Sequence, residues 1–306
     1  MNNAPVLSIF LKLFLAVVIG YVLNRKKILG PEATKGISGL IVNVTCPALV
    51  LYSVTKQEGA GGEVLLLVLF GAGMYVVLPF LARLLALPTR RGPGGDGVFQ
   101  MMLVFANVNF MGFPVVQALY GEGAIFYDNL LHLPFFVLLF TYGIGLIRGK
   151  REAGTRIRVG DILTPGLLAG LASLAVYFLR IPVPSLAVES LGFIGGITTP
   201  LSMIAVGSIL ADFDFRDIFS DKRLFYIAFL KLAALPLAGW FAASLVFRDP
   251  MMVGLVTISL GMPAASLCAM LGRQYGGPEQ SKSAALGVLL TTALSFLTIP
   301  ALIMLL

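Results

Sequence analysis

Ala106-Asn107-Val108-Asn109-Phe110-Met111-Gly112-Phe113-Pro114 lies inside an apolar run from Val98 to Tyr120. Such a run can cross a bilayer, for which about 20 residues suffice. An ordinary spanning helix does not want two Asn, a Gly and a Pro near its middle. Each Asn needs a polar partner in hydrocarbon. Pro removes a backbone donor and clashes with the preceding turn. Irregular backbone at membrane depth survives only when buried in protein or lining a cavity. A second run, Met251 to Gly272, carries Ser259-Leu260-Gly261-Met262-Pro263 at its centre. Two interrupted spans at corresponding places in two halves point to a binding site of the transporter kind.

The remaining composition agrees with a membrane chain. It is 58% hydrophobic and 12% charged, against about 45–50% and about 25% for soluble domains. The single His and two Cys form no metal-ligand spacing, so no metal and no cofactor are expected. Cys46 and Cys268 fall in apolar runs and read as small packing residues. An intramembrane enzyme would need a nucleophile, acid pair or metal constellation, and none is legible. The first apolar run lacks a basic leader and a cleavage site, and reads as a retained span.

Hydropathy divides the chain into ten spans: 5–24, 36–55, 64–87, 98–120, 124–147, 160–180, 188–211, 224–247, 251–272 and 283–305. The loops after odd-numbered spans, together with Arg83 near the end of span 3, carry 17 of the 22 Lys and Arg, five of them in the loop Arg148 to Val159. Those after even-numbered spans carry Lys56, Arg180 and Arg248. The positive-inside rule puts the odd loops in the cytoplasm and both termini outside. Cations spread over five loops in this way serve topology and do not form a nucleic-acid surface.

Landmarks repeat at nearly one offset. Pro47 and Pro200 are 153 apart, Pro79 and Pro236 157, Pro114 and Pro263 149, and Tyr120-Gly121 and Tyr275-Gly276 155. Each pair falls in the same-numbered span of its half or the loop after it. Five spans per half is odd, so the second half enters the membrane inverted. The expected fold is all-α and polytopic: ten transmembrane helices in two inverted five-helix repeats, residues 1–150 and 151–306. Broken helices 4 and 9 cross at the midplane. Pro114 and Pro263 are expected in the first turn of a new half-helix, where Pro is tolerated. Two helix starts meeting there offer unpaired N–H groups and positive potential to a carboxylate.

Five stretches resemble one family. Gly20-Tyr21 with Arg25-Lys26-Lys27, Asn43-Val44-Thr45-Cys46-Pro47-Ala48-Leu49, Asn107 through Pro114, Thr199-Pro200-Leu201 with Gly207, and Met262-Pro263-Ala264 through Tyr275-Gly276-Gly277 are similar, in order, to motifs of the auxin efflux carrier family. The resemblance implies a fold like that of bile-acid and sodium/proton transporters. It implies a scaffold of spans 1, 2, 6 and 7 that often forms a homodimer, and a moving transport unit of spans 3–5 and 8–10. It further implies secondary transport of small organic anions, auxin-like or dicarboxylate, across a bacterial cytoplasmic membrane. The carrier would work by alternating access, with a proton or sodium as coupling ion. A passive channel and a ligand sensor on the same scaffold are the alternatives. Spans 3, 4, 8 and 9 hold no acidic residue in their interiors, which argues against sodium.

The expected substrate-binding residues are Asn107, Asn109, Gly112, Pro114, Gly261, Pro263 and Asn43. Asn107 and Asn109 share a side only if the stretch is extended. Asp128 and His132, four apart, would share a helix face in span 5 and serve proton coupling. Lys12 and Lys231 are each expected to snorkel to a membrane face.

Overall fold

The computed structural model describes residues 3–57, 63–90, 97–148, 163–212, 218–219, 221–275 and 277–305. The cationic loop after span 5 and Gly276 of the last repeat pair lie outside them. Helices appear in all ten apolar segments. They are α1 (Asn3–Arg25), α2 (Pro31–Leu40), α3 (Cys46–Val54), α4 (Glu63–Leu85), α5 (Gly97–Val104), α6 (Phe113–Tyr120), α7 (Ala124–Leu131), α8 (Leu133–Leu138), α9 (Ile144–Arg148), α10 (Pro165–Leu179), α11 (Ser185–Gly196), α12 (Thr198–Ala211), α13 (Lys222–Phe229), α14 (Leu235–Val246), α15 (Pro250–Gly261), α16 (Ser266–Tyr275) and α17 (Pro278–Leu305). No strand forms among the described residues. Five uninterrupted helical stretches there are long and apolar enough to cross a membrane: Pro31–Val54, Glu63–Leu85, Ser185–Ala211, Lys222–Val246 and Pro278–Leu305. The chain is therefore an all-helical integral membrane protein.

Local sequence explains many ends. The Thr164 and Asp249 side chains accept N–H bonds from Leu167 and Met251, and Pro follows each as the first helical residue. Gly121 closes α6 at φ +84, a conformation that residues with a Cβ rarely adopt.

Among the described residues, four helical stretches contain a wider π turn: Ile41–Thr45, Val108–Gly112, Leu139–Gly143 and Leu230–Ala234. Three of them end two residues before a proline, at Pro47, Pro114 and Pro236. A proline inside an α-helix clashes with the carbonyl four residues back and leaves it without a donor. Widening the preceding turn moves that carbonyl away, so the helix continues through the proline. Pro114 thus lies beyond the first turn of its segment, because helix geometry already begins at Val108. Pro263 lies outside a helix altogether, in the extended link between α15 and α16.

The chain packs into two compact units. The first comprises residues 1–68, 109–133 and 163–213; the second comprises 69–108, 134–162 and 214–306. In the first, α1 and α12 touch backbone to backbone. A Cβ built on Gly20 would stand 2.0 Å from the Ile204 carbonyl oxygen, and one on Gly207 would stand 1.9 Å from that of Val17. Small residues permit such approaches where lipid offers no hydrophobic drive for association. In the second, Gly97 of α5 does the same against the Leu146 carbonyl of α9, at 2.1 Å. Phe105, Tyr75 and Phe135 form edge-to-face pairs in its core.

Candidate functional site

The two interruptions meet within the second unit. After Val104 the backbone leaves the helix through Phe105, Ala106 and Asn107; after Gly261 it leaves the helix through Met262 to Ala265. Ala106 and Ala264 form an antiparallel bridge. It is flanked by Asn107 N–H to the Pro263 carbonyl (2.8 Å) and Ala265 N–H to the Phe105 carbonyl (2.9 Å). The breaks thereby satisfy one another's backbone groups, which hydrocarbon demands. The residue before a proline favours extended backbone, and Met262 adopts it, with φ −63 and ψ 146. Thr291 of α17 adds a bond from the Ala264 N–H to its hydroxyl at 3.1 Å.

Asn107 is 4% exposed. Its side-chain amide donates to Ser266 Oγ only at 3.5 Å, the long limit of a hydrogen bond. Ser266 opens α16, so this amide sits at a helix start, where N–H groups and the helix dipole favour an anion. Gly261 ends α15 against Leu302 and Pro236. Asn107, Gly261 and Pro263 are thus gathered in one unit.

Asn109, Gly112 and Pro114 belong to the first unit. Asn109 is half-buried, and its carbonyl accepts from Cys46 Sγ at 3.9 Å. Gly112 and Pro114 are buried at the passage from π turn to α6. Asn43 is exposed and returns its amide to the Gly39 carbonyl of its own helix at 2.8 Å.

Asp128 and His132 are brought together in the first unit, with Nε2 to Oδ1 at 3.6 Å. Asp128 is fully buried and His132 is 6% exposed. The α7 helix yields at His132 (φ −100, ψ 9), so the imidazole sits at a helix end.

Lys231 corrects the snorkelling expectation. It is 0% exposed, and Nζ donates to the Leu103 carbonyl of α5 at 3.2 Å. Distance from a span's end did not reveal which face of the helix it occupies. Lys12 is exposed. The other residue missed by sequence reasoning is Ser266, whose signal was its place three residues after Pro263.

Comparison with known proteins gives the family. A family described as "Membrane transport protein" matches residues 5–303. An uncharacterized transporter of Methanothermobacter thermautotrophicus is 27% identical over 302 residues, covering 95% of each chain. An uncharacterized transporter of Methanocaldococcus jannaschii is 23% identical over 313 residues, covering 96% of each. A protein of Rhizobium meliloti named "Putative malonate transporter" is 24% identical over 309 residues, covering 98% of this chain and 95% of its own. With the family match running almost from end to end over the motifs quoted above, the chain belongs to the membrane transport protein family, that of the auxin efflux carriers.

Proposed function

We propose that this membrane transport protein is a secondary carrier of small organic anions, with dicarboxylates of the malonate type foremost, working by alternating access. The observation that carries the reading is the mutual pairing of two broken helices around a buried amide. Asn107 has a weak partner in the protein, and a helix start lies beside it. A carboxylate would gain a charge-assisted hydrogen bond and favourable potential there. Gly261 and Pro263 shape one break; Asn109, Gly112 and Pro114 direct the chain past the other. A direct role for Asn43 would require release of its bond to Gly39. The name of the Rhizobium relative supports the dicarboxylate class.

In this reading the ten helical segments are ten spans in two inverted repeats, 1–150 and 151–306, with the paired breaks as the crossover. Spans 1, 2, 6 and 7 serve as scaffold and dimer surface; spans 3–5 and 8–10, which include the paired breaks, move. The odd loops face the cytoplasm, both termini lie outside, and Asp128 with His132 passes the coupling proton.

The test is a thermal-shift screen of organic acids on purified protein, followed by uptake of labelled hits into proteoliposomes. A ligand that binds the native state raises its melting temperature. Saturable counterflow of malonate or a related acid is expected. Non-saturable flux would favour a channel, and binding without flux a sensor.

A further inference from the structure

Lys231 is a fully buried ammonium in the π turn Leu230–Ala234, inside the second unit. Among the described residues it makes one hydrogen bond, to the Leu103 carbonyl, and no carboxylate lies within ion-pair distance. Such a charge is costly unless something compensates it.

The compensation is at the end of α5. The last carbonyls of a helix lack partners within it and carry the negative end of its dipole. Here the Met101 carbonyl takes the Phe105 N–H and the Cys268 thiol, and the Phe105 carbonyl takes the Ala265 N–H. The Leu103 carbonyl takes Lys231. The ammonium thus caps a half-helix at the residue before its last, three residues ahead of the Ala106–Ala264 bridge.

In carriers built on broken helices, half-helix C-terminal ends and unwound carbonyls are where a coupling cation binds. We infer that the Lys231 ammonium is a tethered substitute for that cation: it neutralises the carbonyl end of α5 and holds the paired breaks in register, so that the carrier needs no sodium. The absence of acidic residues from the interiors of spans 3, 4, 8 and 9 fits, since a metal cation would call for such ligands and a resident ammonium does not. This inference rests on the anion-carrier reading for its purpose but not for its test. An ammonium in the unit that binds the anion would also offset part of the substrate's charge during translocation.

The test needs no substrate. Melting temperatures of the purified protein are compared in sodium chloride, methylammonium chloride and choline chloride at equal ionic strength. Wild type is expected to melt at the same temperature in all three. Lys231→Ala is expected to melt lower in choline and to recover by several degrees in methylammonium or sodium, which fit the vacated space as choline does not. Lys231→Gln keeps a hydrogen-bond donor without the charge. It is expected to melt below wild type in choline, and it decides the matter where Lys231→Ala does not fold. Stabilisation of wild type by sodium would overturn the inference, as would a Lys231→Ala protein indifferent to small cations. A Lys231→Gln protein as stable as wild type would reduce the role to a hydrogen bond and overturn it too. The expected salt pattern in a protein that ignores every organic acid would leave this inference standing and remove the anion-carrier reading.

Discussion

The backbone N–H of Asn107 donates to the carbonyl of Pro263 at 2.8 Å. That bond uses no side-chain atom of Asn107, so truncating the side chain leaves the pairing of the breaks in place. The Asn107→Ala protein is therefore expected to express and insert normally. It loses an amide whose partner in the protein is a 3.5 Å contact with Ser266. If that amide serves a carboxylate, the loss is about 1.5–3 kcal/mol. Binding of malonate or the best-binding acid should weaken roughly ten- to a hundredfold. Calorimetric or thermal-shift titration of wild type and variant checks this. Unchanged affinity in a folded variant removes Asn107 from the contact.

Two glycines should respond differently to the same added methyl group. On Gly207 it meets the backbone of Val17 and Tyr21, at 1.9 Å and 2.9 Å from the nearest atoms. Neither helix can yield locally, so α1 and α12 must separate. On Gly261 it meets the Leu302 Cδ1 at 2.7 Å, the end of a side chain that can swing. Gly207→Ala should destabilise by roughly 1–3 kcal/mol or more, the range of a forced insertion into packed structure. Gly261→Ala should cost clearly less. Thermal unfolding of the two purified variants makes the comparison, and equal melting would contradict it.

The break in the second half was legible because Gly261 and Pro263 flank it, whereas the break in the first half lies at Phe105 to Asn107, ahead of Gly112 and Pro114, through which the helix continues. Helix placement was legible from hydropathy, since apolar length is a local property. The π turns were not read, although three of them precede Pro47, Pro114 and Pro236 by a fixed step. Proline alone is an ambiguous sign: Pro79 and Pro300 sit inside α-helices. Lys231 was misplaced because a count of turns to the nearest membrane face ignores helix rotation. Its proper face depends on Leu103, which is 128 residues away in sequence. Ser266 beside Asn107 was hidden for the same reason: the contact spans 159 residues. Such contacts belong to tertiary packing, which hydropathy does not describe.

Orientation gives a prediction of its own. With 17 of 22 Lys and Arg in the loops after odd-numbered spans or, for Arg83, near the end of span 3, those loops should be cytoplasmic. A reporter fused at Gly154 is expected to read cytoplasmic, and tags at either terminus external. A cytoplasmic C-terminus would undo both the count of ten spans and the inverted repeat.

The final prediction concerns protons. Asp128 and His132 face each other at 3.6 Å with 0% and 6% exposure. A buried pair of this kind resists any change in its net charge, because an uncompensated ion in a poor solvent is costly. A proton can therefore leave or join it readily only when another charge moves in the opposite sense. Under the proposed carrier function, an organic anion that enters or leaves together with the proton would be such a charge. His132→Ala removes the exchangeable imidazole and leaves the paired breaks of the second unit untouched. Malonate-driven acidification in proteoliposomes should then disappear while malonate binding remains near wild type. His132→Gln, which fills more of the vacated space, should behave the same way; if it restores proton flux, the imidazole was needed only for packing. Unchanged proton flux in His132→Ala takes the pair out of the mechanism.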